Sequence, residues 1–404
     1  MSPPDAASDR ALERVVRAET GHIVASLTAS LGNFDLAEEA VAEAVIEALV
    51  HWREAGIPPN PGGWLTTAAR RNALDRLRRD KRYRQKLEIL ADTSRRSAKE
   101  VDERLPLLFG CCHPALTETA QLALTLRAVC GLTTEQIARA TLSTPTATGQ
   151  RIVRAKRKIG AAGIPLRVPV GEERASRLDL VLTVISVMYN EAHLVAGGDA
   201  GADRDLADDA VWLADVVAHA LPGEPEALGL VALVKFHRSR EGARSVGGDI
   251  VLLADQDRSR WDVGLQTQAH AALRAAAAQN RPGRWQLHAA IAACHADAPD
   301  FASTDWDQIV TLYDMLLVYD QSPVVMLNRA VALAETGHAS RALVEVEGLR
   351  GDLERFHLWH AVRGNLLARL GCDDEAVEAL NEARKRTQND AEQRLLRARG
   401  GTSV

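Results

Sequence analysis

Cations and small polar side chains follow Pro145 at helical spacing, and this combination could recognise DNA. Arginine and lysine bind phosphates, while a glutamine or a hydroxyl can hydrogen-bond to the edge of a base. Small residues come first and cations crowd the end, which is the order expected of a helix that enters the major groove. The predicted DNA contacts are Thr144, Thr146, Ala147, Gln150, Arg151, Arg154 and Lys158.

Two short helices joined by a tight turn would position these residues. Thr133 and Gln136 have the spacing of a capping box, so one helix is predicted to start at Thr133. The following turn ends this helix, and Thr144 then caps a second helix with Pro145 in its first turn. The stretch 117–159 therefore predicts a helix-turn-helix. An ordinary amphipathic helix pair with a solvated basic end is the alternative.

A second group of cations lies on a helix predicted to begin near Trp64. Nine arginines and lysines between Arg70 and Lys86 are offset by only two aspartates, so this helix needs a polyanion such as phosphate to relieve their repulsion. A solvated basic helix is the alternative. Trp64 could stack on a base, although its position at the apolar start of the helix favours a place in the core.

The helix predicted over residues 35–49 has the opposite charge. Its acidic side chains lie opposite a face of alanine and valine. A solvated acidic surface is the ordinary explanation of such a pattern. Beside two basic helices, however, it also suggests a protein partner as well as DNA.

The two halves of the chain differ in charge. Residues 1–160 carry 24 Lys and Arg against 19 Asp and Glu, or +5, which leaves 25 against 35, or −10, for the remainder. Such asymmetry suggests that the front half binds nucleic acid. Aromatic residues make up only 4% and alternating β-branched runs are scarce, so an all-α protein is predicted.

The cysteines and the opening sequence favour the cytoplasm. Five cysteines are an odd number, and the opening MSPPDAASDR has no charged-then-apolar signal pattern. The longest apolar run, residues 178–189, is too short to span a bilayer, so no membrane contact is expected.

Three segments in this order resemble the core of an extracytoplasmic-function (ECF) sigma factor, a member of the sigma-70 family of bacterial RNA polymerase sigma factors. They are DLAEEAVAEAVIEAL (35–49), GGWLTTAARRNALDRLRR (62–79) and the helix-turn-helix that ends in RIVRAKRKI (151–159). Two positions depart from the pattern: Ala42 stands where many relatives have glutamine, and Thr148 stands where an apolar residue would pack the second helix.

The resemblance implies a role for each segment. The helix from Pro145 would bind the minus-35 promoter element as duplex DNA. The acidic helix would bind core RNA polymerase at the β′ clamp, with the β flap as a second polymerase contact; its predicted contacts are Asp35, Glu38, Glu39 and Glu43. The segment from Trp64 would melt and bind the minus-10 element, with Trp64, Arg70, Arg71, Asn72, Arg76 and Arg79 as contacts.

Cys111, Cys112 and His113 place three soft ligands in a row between the two predicted DNA-binding parts. Adjacent cysteines cannot easily face one tetrahedral ion, so buried small residues are expected rather than a metal site or a redox sensor, and no cofactor is predicted. The same run resembles the linker of a sigma-factor subgroup with a long helical C-terminal extension.

The rear half has an internal repeat. Residues 322–349 and 357–384 contain positions that match at a shift of 34, among them Gly337 and Gly371 at the predicted turns. This period is typical of tetratricopeptide (TPR) repeats and predicts an α-solenoid of about three to five helix pairs. Histidine pairs in this half, 288/295 and 357/360, are expected to be core or surface residues, and no catalytic motif occurs, so an enzyme is not predicted.

A charged segment within the rear half has two interpretations. Asp255, Gln256, Asp257 and Arg258 stand beside Trp261. Arginine–aspartate ion pairs could stabilise a turn of the solenoid, or the segment could contact the sigma core or the polymerase. In the resembled subgroup this run is a hallmark of the extension, which favours a functional surface.

The sequence thus predicts sigma region 2 over residues 8–90, a linker over 91–116, sigma region 4 over 117–162 and a TPR-like extension over 174–400. The predicted function is an alternative sigma factor, acting at the bacterial nucleoid, with a C-terminal regulatory solenoid. An intramolecular contact between the extension and the sigma domains is a further expectation. The alternatives are a stand-alone helix-turn-helix regulator with a TPR partner-binding domain and a TPR scaffold.

Overall fold

The computed structural model describes residues 19–79, 104–164, 167–194 and 200–400, apart from positions 29, 130, 131, 142 and 388. Most of these residues are helical, which confirms the all-α prediction. None of the described helices is long and apolar enough to cross a bilayer. The chain divides into two compact units, a front unit of Met1–Glu191 and a rear unit of Ala192–Val404.

Eight helices belong to the described part of the front unit. The first, α1, covers residues 19–31 apart from position 29. The others are α2 (Phe34–Ala55), α3 (Pro61–Arg79), α4 (Arg104–Cys111), α5 (Glu118–Ala128), α6 (Thr134–Ala140), α7 (Pro145–Ala162) and α8 (Glu172–Leu194).

Helices α2 and α3 pack together around a core of small side chains. The Asn33 side chain accepts a hydrogen bond from the Leu36 amide and caps the start of α2, a role that asparagine often has. The alanine and valine face of α2 is buried together with Trp52. Residues of α1 and α3 complete this core, so the acidic face of α2 is left outside, as the sequence pattern predicts.

The predicted helix-turn-helix is formed by α6 and α7. The Thr133 amide donates to Gln136 Oε1 at 2.8 Å, and the Gln136 amide donates to Thr133 Oγ1 at 3.2 Å, so the capping box closes as predicted. Thr144 caps α7 by accepting the Ala147 amide at 3.2 Å. At its other end α7 stops at Gly163, whose φ of 60° is left-handed.

The rear unit is almost entirely helical in its described part. A two-residue hairpin, β1 (Ser245–Val246) and β2 (Asp249–Ile250), pairs antiparallel with Ser245 opposite Ile250. Two 3-10 turns follow at Leu253–Asp255 and Arg258–Arg260. The helices are α9 (Ala200–Ala220), α10 (Pro225–Ser239), α11 (Glu241–Arg244), α12 (Val263–Ala277), α13 (Arg284–Asp297), α14 (Trp306–Leu316), α15 (Pro323–Glu335), α16 (Ala339–Gly348), α17 (Arg350–Leu353), α18 (His357–Arg369), α19 (Asp373–Arg386) and α20 (Asp390–Gly400).

Two helix pairs of the rear unit, α15/α16 and α18/α19, are built alike. Their first helices begin at Pro323 and His357, so 357 − 323 gives the predicted shift of 34. Gly337 and Gly371 form the two turns with φ of 88° and 76°, a conformation that glycine adopts without strain. The helix pairs therefore occupy the positions that the repeat predicts.

Candidate nucleic-acid interface

One face of α7 presents the predicted minus-35 residues to solvent. Thr146, Gln150, Arg154 and Lys158 are exposed, and Arg151 is half-buried beside them. The opposite face buries Ile152 and Ala155, and α7 packs there on α5. Two predicted contacts are less available: the Thr144 hydroxyl is engaged in capping, and Ala147 is half-buried.

The cations of this face have no partner in the part of the chain that the structure describes. Arg151, Arg154 and Lys158 form no ion pair or side-chain hydrogen bond with any residue in the described part of the chain. Uncompensated charges at i, i+3 and i+7 of one helix repel each other unless an anion lies between them. The backbone phosphates of duplex DNA are anions of suitable spacing and charge.

Thr148, which the sequence marks as a departure, lies under this face. Its side chain is fully buried, and its hydroxyl has no hydrogen-bond partner among the described residues. Burying such a group costs free energy because its bonds to water are lost without replacement. The departure is therefore a weak point in the packing of α7, as the sequence suggests.

The cations of α3 are partly neutralised by the chain itself. Arg76 forms ion pairs with Glu39 and Glu43 of α2, with 2.5 Å between Arg76 Nη2 and Glu43 Oε1. The hydrogen bond to Glu43 raises the pKa of Arg76. Arg71 pairs with Glu47 in the same way. The acidic helix α2 thus balances part of the positive charge on α3 for which the sequence predicts a DNA partner. The paired residues lie 24 to 37 positions apart in sequence.

Other predicted minus-10 residues lie at the edge of the core. The Trp64 ring stacks on His51 with ring centres 5.9 Å apart and meets Trp52 edge-on at 5.6 Å, so it packs as the sequence favours. Asn72 is only 8% exposed, yet its Nδ2 has no hydrogen-bond partner among the described residues. Arg70 is half-buried with an unpaired Nε. The Arg79 side chain lies outside the described residues, as do all atoms of Lys81, Arg82, Arg84 and Lys86.

The predicted polymerase contacts divide between solvent and the front unit. Asp35 and Glu39 are exposed on α2. Glu38 forms an ion pair with Lys156 of α7, and the Lys156 ammonium lies 4.9 Å from the centre of the Phe34 ring. Beside this contact a cavity of about 250 Å³ separates the start of α2 from the end of α7.

Two exposed apolar residues of α2 were not among the predicted polymerase contacts. Ile46 is 61% exposed and Val50 is 59% exposed, one turn apart on the outer face. With Ala42 and Glu39 they form an exposed stripe that has a carboxylate at one end and apolar side chains along the rest, and exposed apolar side chains of this kind often mark protein interfaces. The signal was available in the sequence, because both side chains fall outside the alanine stripe that the helix buries.

The cysteine segment is part of the interior. Cys111 and Cys112 are each 1% exposed, and burial raises the pKa of the Cys112 thiol to about 12. The Cys112 sulfur lies 3.7 Å from Thr125 Oγ1, and Gln121 Nε2 donates to the His113 carbonyl at 2.6 Å. These residues join α4 to α5, which agrees with their expected role as buried small residues.

The charged segment of the rear unit stabilises its own turn through hydrogen bonds. Arg258 donates to the carbonyls of His295 and Ala298, the latter at 2.7 Å, and its guanidinium lies 4.7 Å from the centre of the Trp261 ring. Gln256 is 9% exposed and donates to the Val251 carbonyl at 3.1 Å. The remaining hallmark residues are exposed: Asp257, which accepts bonds from Ser259, and Asp255.

Burial lowers the pKa of three histidines of the described rear unit. Burial lowers the pKa of His288 and of His295 to about 4. The His295 ring meets Trp306 edge-on at 5.2 Å. His360 is 7% exposed, and one of its ring nitrogens lies 2.7 Å from the Glu354 carbonyl oxygen. These contacts fit the expected core histidines.

Comparisons with known proteins match three parts of the chain. The model of sigma-70 region 2 matches residues 15–83, and the model of sigma-70 region 4 matches residues 107–159. A family of unknown function (DUF6596) matches residues 177–277. An uncharacterized protein of Rhizobium meliloti (strain 1021) is 41% identical over 377 residues, which cover 90% of this chain and 89% of the relative. No solved structure matches.

Replacing Thr148 by valine should stabilise the front unit. Valine has nearly the same shape but no hydroxyl, so the unpaired buried oxygen disappears, and we expect the free energy of unfolding to rise by about 1 kcal/mol. Urea denaturation of the full chain measures the change. The control is Thr125→Val, because Thr125 is equally buried but donates to the Gln121 carbonyl at 2.7 Å, so its loss should be destabilising. A Thr148→Val chain that is less stable than the parent contradicts this prediction.

Proposed function

Since the chain belongs to the sigma-70 family of RNA polymerase sigma factors and directs promoter recognition and transcription initiation as an alternative sigma factor, we propose that it has the ECF arrangement. In this proposal region 2 covers residues 8–90, a linker covers 91–116, region 4 covers 117–162 and a regulatory extension covers 174–400. The observation that carries the proposal is the row of unpaired cations on α7, in the same compact unit as the acidic helix α2.

Region 4 would bind the minus-35 element through α7. Gln150 and Thr146 lie towards the start of the helix, where short polar side chains can reach base edges. Arg151, Arg154 and Lys158 follow towards its end and would bind phosphates. This division of labour is supported by the exposure of these residues and by their lack of partners in the described chain.

Region 2 would open and hold the minus-10 element. Unstacking a base costs free energy, which a pocket with hydrogen-bonding groups can partly offset. The Asn72 amide, which has no partner among the described residues, is such a group, and Trp64 supplies an aromatic ring two turns earlier on α3. Arg71 and Arg76 would then exchange their glutamate partners for phosphates.

Core polymerase would dock on the outer face of α2, with the β′ clamp as the proposed site and the β flap as the site for region 4. Asp35 and Glu39 supply charge at this face, and Ile46 and Val50 supply exposed apolar area. Apolar centres surrounded by charge give affinity through burial and selectivity through electrostatics. The exposed aliphatic pair also offers a contact where Ala42 replaces the usual glutamine.

We call the arrangement in which Glu38 of α2 contacts Lys156 of α7 the closed chain. The minus-10 and minus-35 elements lie about 25 base pairs apart, or about 85 Å of duplex at 3.4 Å per pair. In the closed chain the Glu38–Lys156 ion pair and the contact of Lys156 with the Phe34 ring join α2 to α7, so the two helices lie too close together to bind both elements at once. The pair therefore has to break when the promoter is bound.

The extension would be a built-in regulator. Its α15/α16 and α18/α19 pairs support a TPR-like solenoid, an architecture that presents long surfaces to partner proteins. Because the front unit carries both the docking helix and the cations of α7, a stand-alone helix-turn-helix regulator explains less of it. A scaffold that has lost DNA binding explains less still. We place the action of the protein in the bacterial cytoplasm, at the nucleoid.

Run-off transcription with core polymerase tests this function. Full-length chain and core enzyme should together produce promoter-dependent transcripts from a genomic library, and neither should do so alone. The variant with Arg151→Ala and Arg154→Ala should lose about tenfold or more in activity, and its salt dependence should fall by about two phosphate contacts.

A matched control for that variant is Arg341→Ala with Arg350→Ala. Both arginines are exposed in the rear unit and the change in net charge is equal. We expect this control to keep its activity. Equal activity of the two double variants would contradict a role for α7 in DNA binding, and absence of transcripts from every template would contradict the sigma-factor function itself.

Replacing Glu38 by glutamine should open the chain. Without its carboxylate partner Lys156 is released, so the free protein should bind minus-35 duplex about two- to fivefold more tightly, as the loss of one such ion pair allows. Fluorescence anisotropy with labelled duplex measures this affinity. Glu54→Gln is the control, because Glu54 is an exposed acid on the same helix. Equal affinities of the two variants would show that the ion pair does not hold α7.

A further inference from the structure

Arg177, on the first helix of the proposed extension, is buried in the front unit. Its side chain is 3% exposed, and its Nη1 donates to the Phe109 carbonyl at 3.2 Å. Its Nη2 donates to Glu173 Oε1 at 2.5 Å. The Phe109 carbonyl belongs to the last turn of α4, where helix carbonyls lack partners within the helix. A cation at this end also complements the helix dipole.

The joint made by Arg177 continues to the minus-35 helix. Directly after α4, the Cys112 sulfur contacts Thr125 and the His113 carbonyl accepts from Gln121, and both partners lie on α5. Helix α5 in turn packs on α7. Each step is a contact between buried or half-buried groups, so a change in the seating of α8 alters the support of α7.

Helix α8 is anchored by apolar packing as well. The front unit extends through Glu191, so most of α8 belongs to it although the sequence places the extension from residue 174. One stripe of the helix is almost fully buried, each member being at most 5% exposed: Leu178, Val181, Leu182, Ile185, Met188 and Tyr189. The physical reason for the later boundary is this stripe, which needs a partner surface.

Burying a guanidinium group in the interior costs free energy. Taking its charge out of water costs several kcal/mol before pairing, and an apolar side chain could pack in its place. A charged group with directional hydrogen bonds, however, fixes the register of two helices, which apolar packing alone does less sharply. The Phe109 carbonyl supplies that direction between α8 and α4, and Glu173, on α8 itself, orients the guanidinium of Arg177.

We propose that Arg177 is a positioning residue for minus-35 recognition, which it governs by fixing α8 against the α4–α5 corner that supports α7. Through this joint the extension, which continues the chain beyond α8, acts on region 4. The inference rests on the proposed minus-35 role of α7. It assigns to the Cys111–His113 segment the function of a mechanical connection between the extension and the helix-turn-helix.

The test uses holoenzyme made with full-length Arg177→Met, Arg177→Lys and parent chains. Transcription is measured from one promoter found by run-off selection and from the same promoter with its minus-35 bases replaced. The readout is the ratio of the two activities, because a smaller fraction of folded protein lowers both activities equally. Affinity for core polymerase is measured in parallel. The control is Arg394→Met, since Arg394 pairs with Asp249 on the surface of the rear unit.

We expect the ratio to fall about fivefold or more in Arg177→Met, with unchanged core affinity. Arg177→Lys should recover part of the ratio, because lysine keeps a cation at the carbonyl end of α4. Amide exchange over residues 104–128 should rise in Arg177→Met and stay unchanged over residues 34–79.

An unchanged ratio in Arg177→Met overturns the proposal. So does a fall in activity on both templates with the ratio preserved, since that marks a role in stability only. If Arg177→Met does not fold, the ratio of Arg177→Lys decides, and a parental ratio there overturns the proposal as well. A parent chain whose ratio is one shows instead that the proposed minus-35 role has failed.

Discussion

Carboxylates of α2 form ion pairs with cations of α7 and α3, and the proposed promoter contact Arg76 is one of these cations. Glu38 pairs with Lys156 of α7, and Glu39 and Glu43 pair with Arg76 of α3. These pairs are at least partly exposed, and such pairs contribute at most about 1 kcal/mol each. They are therefore strong enough to bias the free chain and weak enough to exchange. Because the same face of α2 is the proposed docking site for polymerase, binding there would withdraw the glutamates and release the cations to phosphate.

Each of the two units is stabilised by a different set of internal contacts. In the front unit small side chains let α2 and α3 approach closely, and ion pairs join the outer faces of these helices. In the rear unit helices repeat at intervals of 34 residues, and glycines in the left-handed conformation make the turns. A guanidinium held by two carbonyls and an indole closes one irregular turn of that unit. The ion pairs of the front unit are thus suited to exchange partners, while the described rear unit is built from packed helices joined by defined turns.

Sequence patterns predicted the features that depend on neighbours in the chain. The capping box of Thr133, the cap at Thr144 and the glycine turns all involve residues within a few positions, where spacing determines geometry. Contacts between distant segments were not predictable in this way. Arg76 lies 33 residues from Glu43, and Arg177 lies 68 residues from Phe109. An arginine in such a sequence looks available for DNA until the packing of helices shows its partner.

The distance between region 2 and region 4 tests the account most directly. Fluorophores placed at the exposed positions Ala55, at the end of α2, and Val153, on α7, report this distance by energy transfer. The free chain should show a separation within about 40 Å, close to the length of α2, and the complex with polymerase and promoter should show about 85 Å. A free chain that already shows the long separation, or a promoter complex that keeps the short one, would contradict the closed and open states on which the account depends.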